Sequence, residues 1–123
     1  MHINFESETP IYMQIAESIE DAVLSGAFPE ETQVPSTTEL SVTYKINPAT
    51  VLKGMTLLTD EGILYKKRGV GMFVKKGAAA YVGRKRRRDF YQSYVVALLE
   101  EAGKLGIGKE ELIAMIREDK EHE

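Results

Sequence analysis

The stretch Asn47-Pro48-Ala49-Thr50-Val51-Leu52-Lys53 decides the fold. Asparagine before proline marks a helix start, because the Asn side chain can cap a free backbone amide and proline gives up an N–H that has no partner in the first turn. The helix launched here offers Asn47, Ala49 and Thr50 on that turn. Beyond its end, Arg68-Gly69-Val70-Gly71 reads as a basic turn whose two glycines tolerate positive φ. A helix tip of short polar side chains followed by a basic hairpin is shaped to enter a DNA groove and brace against phosphate.

Upstream, Lys45-Ile46 reads as a tight turn and Ser36-Thr37-Thr38-Glu39 as a capping box, with the Ser36 hydroxyl on an early amide and Glu39 reaching back to the amide of Ser36. A short helix is predicted from there to about Tyr44, and two short helices joined by such a turn are a helix-turn-helix. Earlier still, Thr9-Pro10 predicts the N-cap and first position of another helix, with Ile11, Ile15, Ile19 and Val23 at helical spacing and Gly26 as its stop. Downstream, Val51, Met55 and Leu58 form the buried stripe of the third helix, which Glu61-Gly62 ends. Residues 63–67 and 72–76 then read as two strands. Three helices and a hairpin make a winged helix.

Gly77-Ala78-Ala79-Ala80 is small and uncommitted, a linker or a helix lead-in. After it, Phe90, Tyr94, Ala97, Leu98, Glu101 and Leu105 trace a stripe along a helix expected from about Arg84 to Leu105. Gly108 is placed to cap a last helix carrying Leu112, Ile113, Met115 and Ile116, with Ile107 positioned to staple onto Leu112. Two helices cannot bury two such faces against each other, so a second subunit is expected. The chain is therefore read as mainly α in an α+β arrangement: a winged helix-turn-helix domain over residues 1–77 and a two-helix dimerisation tail over residues 78–123. The dimer contacts are assigned to Phe90, Tyr94, Leu98, Leu105, Leu112 and Ile116.

At 123 residues the chain is about one domain with a small appendage. The lack of cysteine removes disulfides and Cys-based metal sites and suits a reducing cytoplasm. Met1-His2-Ile3-Asn4 does not begin a signal peptide, and no apolar run is long enough for a membrane span. His2 and His122 sit at the chain ends, and the adjacent carboxylates Glu30-Glu31, Asp60-Glu61 and Glu110-Glu111 do not make facing dyads. Neither an enzyme nor a bound metal or cofactor is expected. The glycines at 69 and 71 follow a strand, as in a nucleotide-binding loop, but Met72-Phe73-Val74 continues as strand and supplies no helix N-terminus for phosphate. The net charge of −3 runs against nucleic acid, yet Lys66, Lys67, Arg68, Lys75 and Lys76 concentrate positive charge locally, and residues 84–88 are all Arg or Lys. That run is either a solvated helix start or a second approach to phosphate.

The assembled motifs resemble the N-terminal domain of the GntR family of bacterial transcriptional regulators over roughly residues 10–76. The resemblance is carried by Pro10-Ile11-Tyr12-Met13-Gln14-Ile15, Ser25-Gly26, Val34-Pro35-Ser36 with Glu39-Leu40, Asn47-Pro48-Ala49-Thr50-Val51, Glu61-Gly62-Ile63-Leu64 and Arg68-Gly69-Val70-Gly71-Met72-Phe73-Val74. The short tail resembles the YtrA subfamily, which implies dimerisation through the tail, no large effector-binding domain and often a transporter operon as target. Two positions depart from the pattern. Thr38 stands where the family usually has arginine, which would lose a contact or move it to Lys45 or Lys53; Leu52 stands at a position often polar in relatives, and either faces the groove or turns into the domain. The expected partner is double-stranded DNA, met by Ser36, Thr37, Thr38, Lys45, Asn47, Pro48, Ala49, Thr50, Lys53, Arg68, Gly69 and Gly71. The expected function is a homodimeric, sequence-specific regulator, a repressor by preference, on an inverted-repeat operator. A winged helix used as a protein-interaction module is the second reading.

Overall fold

Ile15, Ile19 and Val23 recur every fourth residue along α1 (Ile11–Ser25), and all three are buried in the computed structural model, which describes residues 1–122. The helix starts one residue later than Thr9-Pro10 suggests: Pro10 is the cap residue and has no capping side chain. Gln14 orders this end instead. Its side-chain oxygen accepts the N–H of Asn4 at 2.8 Å, and its amide donates to the carbonyls of Asn4 and Thr9 at 2.9 and 2.8 Å. Gly26, at φ 85°, closes the helix in the left-handed region.

The capping box forms as expected at α2 (Thr37–Tyr44), with Glu39 N–H donating to Ser36 Oγ at 3.0 Å and Ser36 N–H to Glu39 Oε1 at 3.2 Å. Lys45 then takes the left-handed conformation at φ 54°, and Ser41 Oγ donates to the Ile46 carbonyl at 2.6 Å, tying the turn to the helix it leaves. Ile46 is buried under that turn. Asn47 caps α3 (Pro48–Asp60) by accepting the N–H of Ala49 at 2.8 Å, with Pro48 in the first helical position.

Helices α1 and α3 cross at Gly54, where a Cβ would lie 2.7 Å from the Tyr12 carbonyl oxygen and 3.1 Å from Ile15 Cγ2. Any side chain there forces the helices apart. Val51, Met55 and Leu58 flank the crossing and, with Ile15, Ile19, Val23 and Leu40, form the core.

Strands β1 (Leu64–Lys67) and β2 (Gly71–Val74) pair antiparallel, Leu64 opposite Val74 and Tyr65 opposite Phe73. Both are slightly shorter than the sequence spans suggested. Leu64 and Val74 face the core, as period-two alternation requires. The connector before α2 joins this hairpin as an extended edge: Glu31 N–H donates to the Val74 carbonyl at 2.7 Å, Val74 N–H to Thr32 at 3.0 Å and Val34 N–H to Met72 at 2.9 Å.

The stretch after Gly77 is helix, not linker. In α4 (Ala78–Phe90), Ala78 and Val82 are buried in the same core as α1 and α3, and the first compact unit runs Met1–Arg84. The expected division after residue 77 therefore falls at the start of a helix whose first two turns complete the winged-helix core. The second unit begins at Lys85. It contains the end of α4, a π-helical turn at Tyr91–Val95, α5 (Val96–Lys104) and α6 (Lys109–Glu118), so the tail helix expected to Leu105 runs to Lys104 and passes through one π-helical turn. Ala102 and Leu112 are buried in this unit. No helix among the described residues is long and apolar enough to cross a membrane.

Gly54→Ala should destabilise the fold by about 1–3 kcal/mol, since overpacking the crossing outweighs the roughly 1 kcal/mol gain in helix propensity. Urea unfolding of the two chains checks this, and an alanine variant with an unchanged or higher midpoint would mean that the helices separate at no cost.

Candidate nucleic-acid interface

Burial of Val51, Gly54, Met55 and Leu58 fixes which side of α3 meets water. Pro48, Ala49, Leu52, Lys53 and Thr56 are exposed, while Thr50 is half-buried at the edge. Asn47 is exposed, but its carboxamide oxygen is already engaged in the cap, which leaves the NH₂ as its group for an outside acceptor. Leu52 is 53% exposed: of its two possible settings, it turns outward. The Lys53 ammonium lies 4.0 Å from the centroid of the Tyr12 ring, a cation–π contact that holds this long side chain against α1. Tyr12 is quoted in the sequence only as part of a motif, and its link to Lys53 could be seen only once α1 and α3 were placed.

At the start of α2, Ser36 and Thr37 are half-buried and Thr38 is exposed; Lys45 is exposed in the turn that follows the helix. The Ser36 hydroxyl is committed to the capping box, and Glu39 places a carboxylate at this helix end. The polar side chains here first serve the helix backbone. What they leave for a phosphate is Thr37, Thr38 and the amides of the first turn.

Arg68, Gly69 and Val70 form the exposed tip of the hairpin, with Gly69 at φ 78° and Gly71 at φ 145°. The turn is closed by Val70 N–H donating to the Lys67 carbonyl at 2.9 Å. Gln33, which the sequence reading passed over, donates from Nε2 to the Val70 carbonyl at 2.9 Å. A Cβ on Gly71 would lie 2.5 Å from that same nitrogen, so the glycine and the glutamine form one brace for the tip. Tyr65 and Phe73 stack at 5.9 Å across the strands, and the Lys67 ammonium sits 4.1 Å from the Phe73 centroid. Glu31 accepts from the Tyr65 hydroxyl at 2.6 Å, and this bond raises the phenol above its ordinary pKa.

In the second unit Phe90, Tyr94, Leu98, Leu105 and Ile116 are exposed, at 58, 67, 44, 66 and 61%. Leu112, placed in the same expected set, is buried at 8% exposure. The basic run at 84–88 is also relocated. Because α4 starts at Ala78, the run lies in its middle and later turns, not at a helix start. Among the described residues no cluster of His or carboxylate side chains could hold a metal ion.

Comparison with known proteins agrees with this arrangement. Residues 11–74 match the family of bacterial regulatory proteins named for gntR. The chain is similar to the HTH-type transcriptional repressor NagR of Bacillus subtilis, 36% identical over 62% of this chain and 31% of NagR. It is also similar to the repressor YtrA of the same organism, 35% identical over 63% of this chain and 60% of YtrA. The chain thus spans about a third of the length of relatives such as NagR. Among solved structures, a putative GntR-family regulator from Bacteroides thetaiotaomicron superposes with a TM-score of 0.74 at 34% identity, covering 88% of this chain and 94% of that one. The DNA-binding domain of AraR, in complex with its operator ORX1, superposes with a TM-score of 0.56 at 25% identity over 60% of this chain and 95% of that one. The match across α1, the helix-turn-helix and the hairpin, continued through the tail in the Bacteroides structure, leaves one conclusion: the chain is a YtrA-like member of the GntR family of bacterial regulatory proteins.

Proposed function

We propose that this protein is a sequence-specific DNA-binding transcriptional repressor that acts as a homodimer on an inverted-repeat operator. The observation that carries the reading is the exposed side of α3 in one compact unit with a rigidly braced, arginine-tipped hairpin. One element has the width for a major groove, the other the charge for the backbone beside it. Relatives named as repressors, and the AraR domain on its operator, support the direction and the ligand. The short tail points by resemblance to a transporter operon. Its exposed apolar residues support a second copy as partner, and a two-fold dimer would present two recognition helices to half-sites about 34 Å apart.

Asn47→Asp keeps the helix cap but removes the NH₂ donor. It should weaken binding to a selected operator by about 1–3 kcal/mol and leave the urea midpoint unchanged. Fluorescence anisotropy and unfolding on the same preparation read both quantities; intact affinity would remove Asn47 from base reading.

Arg68→Ala should lower the slope of log K against log salt by roughly one, because one phosphate contact fewer releases one counterion fewer. An identical slope places Arg68 in solvent. The wild-type titration on operator and random duplexes also separates this function from a protein-interaction module, which shows neither a steep slope nor a specificity ratio.

A chain ending at Arg84 keeps Ala78 and Val82, so it should fold, sediment as a monomer and bind a half-site only weakly. Dimerisation of that fragment would exclude the tail as the source of the dimer.

A further inference from the structure

The solvent side of α3 is poorer in hydrogen-bonding groups than its sequence suggests. Asn47 spends its oxygen on the Ala49 amide, Thr50 is half-buried, and the Lys53 ammonium is drawn back over Tyr12. What this face presents between them is hydrocarbon: Leu52, 53% exposed, three residues along from exposed Ala49 and hence on the same face, with exposed Thr56 one turn further on. An apolar face with the Lys53 ammonium held at its α1 edge is suited to a surface that is negatively charged around its edges and apolar at one point. The floor of the major groove between two phosphate strands has this character wherever a thymine 5-methyl protrudes, since that methyl is the one apolar group a base pair presents there.

We infer that Leu52, with Ala49 beside it, is a specificity-determining contact to the 5-methyl group of a thymine in each operator half-site. The inference rests on the DNA-binding function proposed above and names the base chemistry that the recognition helix selects. Two consequences follow from the chemistry. The contact distinguishes thymine from cytosine and from uracil, and it adds nothing to the salt slope, because no counterion is released when methyl meets methyl.

The test uses duplexes selected by the full-length wild-type chain from a random-sequence pool, in which each thymine of a half-site is replaced in turn by deoxyuridine. This exchange removes one methyl and keeps the base pair. The wild type should lose about fourfold in affinity at one thymine per half-site, the equivalent of roughly 0.8 kcal/mol for a buried methyl group. Leu52→Ala and Leu52→Gln should both erase that thymine–uracil difference while keeping the wild-type salt slope and the weak affinity for random duplex. Tolerance of deoxyuridine at every position by a wild type that does select a sequence overturns the contact and leaves the DNA-binding function standing. Persistence of the thymine–uracil difference in both Leu52 variants assigns the methyl to another residue and overturns it equally. A wild type with no sequence preference at any salt concentration overturns the proposed function, and the contact with it.

Discussion

Everything the interface presents depends on how closely α1 and α3 approach at Gly54. With no side chain between them, the Tyr12 carbonyl oxygen comes within 2.7 Å of where a Cβ would stand, and the Tyr12 ring comes under the neighbouring residue of α3, Lys53. The same crossing buries Val51, Met55 and Leu58 against Ile15, and that burial sets which residues of the recognition helix are left in water. Interiors packed at crystal-like density transmit a displacement of one element to its neighbours. A change at the crossing would therefore reach the exposed side of α3 as a shift of the whole helix, through a residue that is itself buried.

A second constraint is the double use of polar side chains at helix starts. Ser36 and Asn47 are the residues best placed by sequence to meet DNA, and both are engaged by amides of their own helices. A first turn without a cap loses about 1 kcal/mol, so in a domain of this size the backbone has first claim on these groups. For the DNA binding proposed above, what remains is the amide NH₂ of Asn47, backbone amides of the first turns, the hydroxyls of Thr37 and Thr38, and the apolar face of α3.

The limits of α2 and α3, and the turn between them, were legible because capping boxes and Asn-Pro starts are local chemistry, satisfied within four residues. The hairpin was legible from its glycines. The edge segment at Glu31 and Val34 was not, because its hydrogen bonds go to residues about 40 positions away, a distance the connector's own sequence does not encode. Alanine at 78–80 has high helix propensity but no apolar periodicity of its own, so only the packing of Ala78 and Val82 reveals that α4 closes the first core. Gly54 reads in sequence as a weak helix position; its value lies in the neighbour it admits. The π-helical turn at Tyr91–Val95 leaves no residue signature in the sequence. The burial of Leu112 was not legible either, because periodicity shows that a face is apolar without showing which of its residues the chain covers itself.

The placement of charge explains how a chain of net charge −3 can serve an anionic partner. Interactions between exposed charges fade beyond about 8 Å at physiological salt, so a phosphate senses the residues beside it and not the chain average. Within that range the cations of the first unit are sorted by the structure itself. Lys53 lies against Tyr12 and Lys67 against Phe73, each losing freedom before any ligand arrives. Arg68 rides on a tip whose position is fixed by Gln33 and the two glycines. Ordering these side chains in the free protein reduces the entropy that binding would otherwise have to overcome, an advantage that a larger but unordered positive charge would lack. The acidic remainder then costs such an interface little and disfavours indiscriminate adhesion to nucleic acid, which in the proposed function leaves selection to the exposed side of α3.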